Sequence, residues 1–145
     1  MLEPVIENFE NRLSIYGSDP RSAFWRNAEW QRRRFEILFG LFSEEDRQGG
    51  ISITDFGCGY GALFDYLINF PVMKDSHYTG IDISSAMIQQ AKSNITDPRA
   101  NFQQHLISTK TTDYTFVCGT YNMNMEADEI EWTNYIKASL AQLWS

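Results

Sequence analysis

The residues with the clearest chemical potential form a glycine-rich turn at positions 55–61, with the sequence DFGCGYG. Glycines at alternate positions between a strand and a helix let backbone N–H groups approach a ligand closely. Asp82 stands at the end of a second predicted strand, where a carboxylate can accept the two hydroxyl groups of a ribose. Because the turn also satisfies a loose dinucleotide pattern that ends in Ala62, these residues alone fit NAD and S-adenosylmethionine equally well.

Asp55 favours S-adenosylmethionine over NAD, because its carboxylate stands two residues before the first glycine. A pyrophosphate held there would meet like-charge repulsion in a partly desolvated site. The methionine part of S-adenosylmethionine instead carries an ammonium group beside its carboxylate, and a positively charged sulfonium further along. An acid near the ammonium, with backbone N–H groups facing the carboxylate, complements that pattern. The alternative role for Asp55 is to cap the following helix, and the two roles are compatible.

The elements that position the turn alternate between strands and helices. The predicted strands are residues 51–56, 78–83, 101–107 and 114–118, and the helices between and after them are 62–68, 86–92 and 128–144. Ser84 or Ser85 is the predicted cap of the helix near residue 86. Such alternation indicates βαβ units and a parallel, helix-covered sheet whose strand ends share one crevice. Two further helices precede this region, at 3–15 and 22–42, and Ser22 is a candidate N-cap of the second.

The amino-acid composition limits the classes of protein to which the chain can belong. The chain has 145 residues, 43% of them hydrophobic, and a net charge of −7, which fits one globular domain with one core. It contains no apolar run of the roughly 20 residues needed to cross a bilayer and no secretory signal pattern. The negative charge argues against nucleic-acid binding. Cys58 and Cys118 have neither metal-binding spacing nor a disulfide pattern. We therefore expect a cytoplasmic protein without a metal site or membrane contact.

Three segments resemble the class I S-adenosylmethionine-dependent methyltransferases. They are residues 53–61, 78–84 and 112–122, in the order and at the approximate spacing of that family. The resemblance covers roughly residues 50–140. It implies an α/β fold, namely a Rossmann-like parallel sheet covered by helices, forming one S-adenosylmethionine-binding domain over residues 1–145.

The resemblance also implies roles for individual residues. The methionine end of the cofactor would be lined by Asp55, Gly57, Cys58 and Gly59. The end of the fourth strand, at Cys118 and Gly119, would lie beside the methyl donor. Asp82 would hold the ribose, and Ile83 and Met87 would flank the adenine, although Met87 equally suits a plain helix core. Such enzymes often place an acid beside the adenine amine after the third strand. Here the candidates at that point are Gln104 and His105.

The N-terminal section resembles one branch of the same family. That branch has a Tyr-Gly pair, a tryptophan-rich segment and a Gln-x-x-Arg-Phe helix, which correspond here to residues 16–17, 25–30 and 31–35. The resemblance implies that residues 1–45 form a lid over the cofactor, against a core at residues 50–145. Tyr16, Gln31 and Arg34 would then contact the cofactor, with Arg34 meeting its carboxylate. The alternative for Arg34 is a surface residue with a packed stem.

The implied reaction is an in-line methyl transfer that leaves S-adenosylhomocysteine. Because the sulfonium already activates the methyl group, the protein mainly positions the acceptor. No catalytic base is assigned, since His77 and His105 both suit structural roles. Residues 119–122, GTYN, differ from the Asn/Asp-Pro-Pro-Tyr of enzymes that methylate exocyclic amines of bases. The predicted acceptor is therefore a small molecule or a protein side chain, and not a nucleic acid.

The number of predicted strands departs from the family pattern of seven. With the usual order of third, second, first and fourth, the fourth strand becomes an edge, although residues 114–118 have the apolar character of a central strand. We therefore expect a truncated chain, a homodimer or strand exchange, or a partner chain that covers this edge. The alternative function is a non-catalytic S-adenosylmethionine-binding or scaffold domain that pairs through the open edge.

Overall fold

A computed structural model of the chain describes residues 2–17, 19, 28–106, 110–118 and 128–144. Two helices come first, α1 (Glu3–Tyr16) and α2 (Ala28–Phe39). The strands and helices that follow are β1 (Ser52–Phe56), α3 (Ala62–Leu67), β2 (His77–Asp82), α4 (Ser85–Asn94), β3 (Ala100–Gln104), β4 (Tyr114–Val117) and α5 (Glu129–Trp144). Short 3₁₀ turns lie at Asp46–Gln48 and Pro71–Met73.

The four strands form one parallel sheet in the order β3-β2-β1-β4. In the shared register, Asp55 of β1 lies opposite Gly80 of β2 and Phe116 of β4. All four carboxyl ends therefore point to the same edge of the sheet, where ligands bind in folds of this kind. The predicted α/β fold, the parallel pairing and the strand order are confirmed.

Sequence signals at the start of α4 correctly predicted its cap. Ser84 is the N-cap residue, and its hydroxyl oxygen accepts a hydrogen bond of 3.2 Å from the backbone N–H of Met87. This bond satisfies one of the N–H groups that a helix leaves without a partner in its first turn. Asp82 and the start of α4 are consequently held close together, directly after β2.

Aromatic packing joins the residues after α2 to the β4 edge of the sheet. The ring of Phe42 lies 4.8 Å from that of Tyr114 and 5.4 Å from that of Phe116, both edge to face. Phe42 and Phe116 are buried members of the main hydrophobic core. The core also holds Ile53, Phe64, Leu67 and Tyr78, which are among its least exposed side chains.

Two predicted boundaries were wrong by three residues, whereas the other boundaries in the described residues differ by two at most. The second helix ends at Phe39 and not at residue 42, because Gly40 is a poor helix former and Leu41 and Phe42 bond back only three residues, in turns. The third strand ends at Gln104 and not at residue 107. The predicted start of the second helix, with Ser22 as cap, lies outside the described residues.

In the described part of the chain, β4 pairs with β1 on one side only. Of its four side chains Phe116 alone is buried, while Thr115 is exposed. The strand therefore lacks the burial that its apolar sequence suggested for a central strand. None of the described helices combines the length and apolar character that crossing a bilayer requires.

We expect Tyr114→Phe to lower the free energy of unfolding by about 1.5–3 kcal/mol, since hydrogen bonds to charged groups contribute that much. The Tyr114 hydroxyl donates to Asp46 Oδ2 at 2.6 Å and accepts from the Ser43 N–H at 3.3 Å. The matched control is Tyr66→Phe, a half-buried tyrosine whose ring packs on Phe35 and Phe70. Urea unfolding of both variants is the measurement, and equal losses would contradict the role of the Tyr114 hydroxyl.

Candidate functional site

A cleft of about 1040 Å³, part of it open to solvent, lies at the carboxyl ends of the strands. Its floor consists of the glycine turn and the residues that end β1 and β2, and its walls come from α1, α2, α3, α4 and α5. The cleft therefore lies where parallel α/β sheets bind their ligands.

Backbone hydrogen bonds fix the glycine turn against β2. The N–H groups of Gly57 and Cys58 both donate to the carbonyl oxygen of Ile81, at 2.7 and 3.0 Å. The next glycine, Gly59, leaves open space above the turn. A Cβ built on Gly59 would have Met87 Sδ, at 4.0 Å, as its only neighbour within that distance. Since both residues line the cleft, the missing side chain leaves room for a ligand.

The carboxylate of Asp82 is held by two backbone N–H groups. Gly59 donates to Oδ2 at 2.8 Å, and Ser84 donates to Oδ1 at 2.9 Å. Burial raises the pKa of Asp82, and hydrogen bonds from the backbone N–H groups of Ser84, Gly59 and Ile83 act in the opposite direction. Each carboxylate oxygen can accept a second hydrogen bond. Asp82 therefore presents a fixed acceptor pair to the cleft, which it lines.

Asp55 is the more deeply buried carboxyl of the cleft, with 4% of its surface exposed. Burial raises its pKa to about 7, while a hydrogen bond donated by the Tyr78 hydroxyl opposes the rise and the negative charge of Asp82 adds to it. Asp55 therefore changes charge near neutral pH. It does not cap α3, whose N-cap is Gly61 without a side-chain bond.

The structure brings most of the predicted site residues together. Those that line the cleft are Gln31, Asp55, Gly57, Cys58, Gly59, Asp82, Ile83, Met87 and Cys118. Gly119, predicted beside Cys118, lies outside the described residues. Burial raises the pKa of both cysteine thiols, so neither is an activated nucleophile.

Three predicted residues lie outside the lining of the cleft. The side-chain amide of Gln104 donates to the carbonyl oxygen of Ile83 at 3.2 Å, and His105 lines the cleft in its place. The ring of Tyr16 packs under the guanidinium of Arg12, 5.1 Å from its centroid. Arg34 is exposed, but its positive charge reaches the cleft, where it lowers the pKa of Cys118 against the larger effect of burial.

Other lining residues were not predicted from the sequence. They include Val5, Ile6 and Phe9 of α1, Tyr60 of the glycine turn, and Trp132 and Tyr135 of α5. The helical spacing of the α1 residues marked an apolar face, but spacing does not say what that face covers. The same is true of Trp132 and Tyr135, three residues apart on α5.

Two side-chain hydrogen bonds attach the N-terminal helices to the walls of the cleft. Gln31 of α2 donates its amide to the Tyr60 hydroxyl at 3.3 Å, and both residues are buried. Ser84 donates its hydroxyl to Glu10 Oε1 of α1 at 3.2 Å. Helices α1 and α2 therefore contact the same cleft from outside the sheet.

Comparison with known proteins identifies the family. A model of the methyltransferase domain matches residues 53–143, and the chain therefore belongs to the methyltransferase domain family. A Mycobacterium tuberculosis protein that carries the name of a methyltransferase, Rv1506c, is 38% identical over 94 residues. The match covers 63% of this chain and 55% of that protein, so the chain spans about half the length of this curated relative.

Solved structures agree with the fold. A TehB-like SAM-dependent methyltransferase from Corynebacterium glutamicum superposes with a TM-score of 0.55 at 19% identity, over 96% of this chain and 66% of that one. A SAM-dependent methyltransferase from Aquifex aeolicus gives 0.54 at 13% identity, over 93% and 66%. An S-adenosylmethionine-dependent methyltransferase from Mesorhizobium loti gives 0.50 at 18% identity, over 81% and 48%. The predicted family and fold class are confirmed.

Proposed function

We propose that this chain binds S-adenosylmethionine in the cleft and positions it for methyl transfer to a small-molecule or protein acceptor. The observation that carries the proposal is Asp82, whose carboxylate is fixed by two backbone N–H groups between the glycine turn and α4. In a chain of the methyltransferase domain family, a carboxylate so placed suits the ribose hydroxyls of the cofactor.

The charges of the cleft fit this cofactor better than a dinucleotide. Among the described lining residues there are two carboxyl groups, Asp55 and Asp82, and no lysine or arginine. A pyrophosphate would be repelled by both acids, whereas an ammonium group and a sulfonium would be attracted by them. The open space at Gly59 also allows a ligand to approach the turn.

In this proposal, different residues of the chain bind different parts of the cofactor. Asp55 and the turn at 57–59 face the amino-acid end of the cofactor, and Asp82 holds its ribose. The adenine lies between Ile83 and Met87, where His105 is nearer the cleft than Gln104. The methyl donor lies towards Cys118 and its neighbour Gly119. Bound S-adenosylmethionine supplies a methyl group already activated by the positive charge on sulfur, so the protein's main task is to place the acceptor.

Helices α1 and α2 act as a lid in this proposal. The support for it is that five residues of these two helices line the cleft, namely Val5, Ile6, Phe9, Gln31 and Phe35. Tyr16 and Arg34 lie outside the lining, and we keep Arg34 as the partner of the cofactor's carboxylate, as the family resemblance implies. Residues 1–45 then form the lid, and residues 50–145 form the core of one domain.

Calorimetric titration with S-adenosylmethionine, S-adenosylhomocysteine and NAD tests the proposal. We expect the first two ligands to bind and NAD to give no heat. Heat with NAD alone would overturn the assignment. Binding without methyl transfer to any acceptor would favour the alternative of a binding or scaffold domain that pairs through the β4 edge, as a homodimer or with a partner chain.

The pH dependence of binding follows from Asp55. Its pKa in the free protein is about 7, and an ammonium group favours the ionised form, so affinity rises with pH through 7. At pH 6 about one carboxyl in ten is ionised, and we expect binding about 10-fold weaker than at pH 7.5. Above about pH 8 affinity falls again, because an α-amino group loses its proton there.

Titration calorimetry from pH 5.5 to 8.5 measures this profile. In Asp55→Asn the rise between pH 6 and 7.5 should disappear, whereas Glu44→Gln, at an exposed acid outside the cleft, should keep it. An unchanged rise in Asp55→Asn would show that another group controls binding.

We also place the chain in the cytoplasm, in line with its two free cysteines, Cys58 and Cys118, since thiols stay reduced in that compartment. Cell fractionation with a tagged chain tests this location. Recovery in the periplasmic or secreted fraction would contradict it.

A further inference from the structure

The hydroxyl of Tyr78 is a buried polar group to which the proposed function gives no part in binding. It donates a hydrogen bond to Asp55 Oδ2, and Tyr78 is only 1% exposed. Among the described residues Asp55 lines the cleft and Tyr78 does not. A tyrosine behind the lining therefore holds one of the two oxygen atoms of a carboxyl group that faces the ligand.

The sheet and the core fix the position of this hydroxyl. Asp55 lies opposite Gly80, and Tyr78 precedes Gly80 by two residues, so the side chains of Tyr78 and Asp55 lie on the same face of the sheet. A Cβ at Gly80 would lie 2.7 Å from Phe102 Cδ1, so no larger residue fits beside the pair. The Tyr78 ring packs on Phe64 and Phe102, with centroids 5.2 and 5.8 Å away. Close packing of this kind keeps the hydroxyl directed at Asp55.

The hydrogen bond from Tyr78 favours the charged form of Asp55. Burial and the negative charge of Asp82 both raise the pKa of Asp55, and the Tyr78 hydrogen bond lowers it. A donor to a carboxylate stabilises the ionised form, because a neutral carboxyl group is the weaker acceptor. An ammonium group is attracted by the ionised form alone. Without the hydroxyl, Asp55 would therefore be neutral over more of the pH range in which the cofactor carries its ammonium group.

We infer that Tyr78 is a positioning residue for cofactor binding, whose hydroxyl keeps Asp55 ionised and oriented so that Oδ1 accepts from the ammonium group of S-adenosylmethionine. This inference rests on the proposed function and adds to it a residue that does not touch the cofactor. A purely structural role for Tyr78 would change affinity by the same factor at every pH. The positioning role predicts a factor that depends on pH.

Tyr78→Phe removes the hydroxyl and keeps the ring. We expect the rise in affinity for S-adenosylmethionine to move to higher pH by about one pH unit, which makes binding about 10-fold weaker at pH 6 and about twofold weaker at pH 8. The matched control is Tyr114→Phe, since the Tyr114 hydroxyl also donates to a carboxylate, Asp46 Oδ2, but both residues lie outside the cleft lining. Titration calorimetry should give the control ordinary affinity at both pH values.

Other titratable or charged groups act on the pair or share its cleft. They are Cys58 of the glycine turn, Asp65 of α3, Asp82 of β2, His105 after β3, Cys118 after β4, and Arg34 of α2, which acts on Cys118. These groups are present in Tyr78→Phe and in the unmodified protein, so the ratio of the two affinities isolates the hydroxyl. In an Asp55→Asn background this ratio should lose its pH dependence, whereas in a His105→Gln background it should keep it.

A second measurement follows Asp55 without any ligand. Carbon-13 NMR of the aspartate carboxyl groups, with Asp55 assigned through Asp55→Asn, should give a protonation midpoint near pH 7 in the unmodified protein and about one pH unit higher in Tyr78→Phe. Thermal unfolding reports on the fold of each variant. If Tyr78→Phe does not fold, 3-fluorotyrosine at position 78 takes its place. Its more acidic hydroxyl is a stronger donor and should move the midpoint to lower pH.

The outcomes separate this inference from the proposed function. Failure of S-adenosylmethionine to bind the unmodified protein overturns the proposed function and, with it, the cofactor role of Tyr78. Normal binding by the unmodified protein, with a Tyr78→Phe loss that is equal at pH 6 and pH 8, overturns the positioning role alone. An Asp55 midpoint that does not move, or the same pH-dependent loss in Tyr114→Phe, also overturns it.

Discussion

Replacing Asp82 by alanine should weaken S-adenosylmethionine binding at least about 100-fold, the largest effect expected of any single change in the cleft. The variant loses the two acceptors proposed for the ribose, and a hydrogen bond to a charged group contributes about 1.5–3 kcal/mol. Two such bonds amount to about 3–6 kcal/mol, and each 1.4 kcal/mol is tenfold in affinity. The N–H groups of Gly59 and Ser84 also lose their partner, so the turn becomes less ordered.

Asp97→Ala is the matched control for this change. Asp97 also accepts a hydrogen bond from the backbone N–H two residues later, that of Arg99, at 2.9 Å, but it lies outside the cleft lining. The Arg99 side chain holds the pKa of Asp97 low, at about 2. Calorimetry should therefore give ordinary affinity for Asp97→Ala. Binding by Asp82→Ala within fivefold of the unmodified protein would contradict the ribose assignment, and Asp82→Asn tests it with less change in shape.

Gly61→Ala should lower the free energy of unfolding by about 2–5 kcal/mol, the largest effect expected on stability. A Cβ at this position would lie 2.6 Å from Ile95 Cδ1 and 3.1 Å from Phe102 Cζ, and overpacking a core costs about 1–3 kcal/mol. The φ angle of +90° adds about 1–2 kcal/mol for a residue with a side chain. At this chain length, each kcal/mol corresponds to about 2–4 °C in Tm.

Gly50→Ala isolates the backbone part of that cost. Gly50 has a φ angle of +77°, and a Cβ there would meet nothing within 4 Å. The free energy of unfolding of Gly50→Ala should fall by about 1–2 kcal/mol, from the φ angle alone. Ile95→Val removes the clashing methyl group and should recover part of the loss in a double variant with Gly61→Ala. Equal unfolding midpoints for Gly61→Ala and Gly50→Ala would refute the close packing of α3 against Ile95.

Local signals predicted those parts of the fold that depend on neighbouring residues. The strands carry short apolar runs, Ser84 caps its helix as its position predicted, and Asp82 ends its strand as required for a ribose ligand. The end of α2 was missed because Gly40 outweighs the apolar pattern that continues to Phe42. The choice between Gln104 and His105 depends on where β3 ends, since neighbouring residues of a strand point to opposite sides.

Contacts between distant segments could not be predicted from the sequence. Tyr78 donates to Asp55 because the register of β1 and β2 sets Tyr78 opposite Ile53, two residues before Asp55. Register depends on the packing of the whole sheet, so the partner of Asp55 could not be read from either segment. The position of Trp132 and Tyr135 in the cleft lining was missed for a similar reason, because helical spacing identifies a face without identifying what it contacts.

The double hydrogen bond to the carbonyl oxygen of Ile81 has a consequence for kinetics. With Gly57 and Cys58 both attached to β2, the turn has its final shape before any ligand arrives. Ordering a loop during association costs free energy and slows capture, and a preformed site avoids both. If α1 and α2 form the proposed lid, ligand entry requires a movement that breaks the side-chain bonds to Ser84 and Tyr60, and residence time should then depend on the helices and not on the turn.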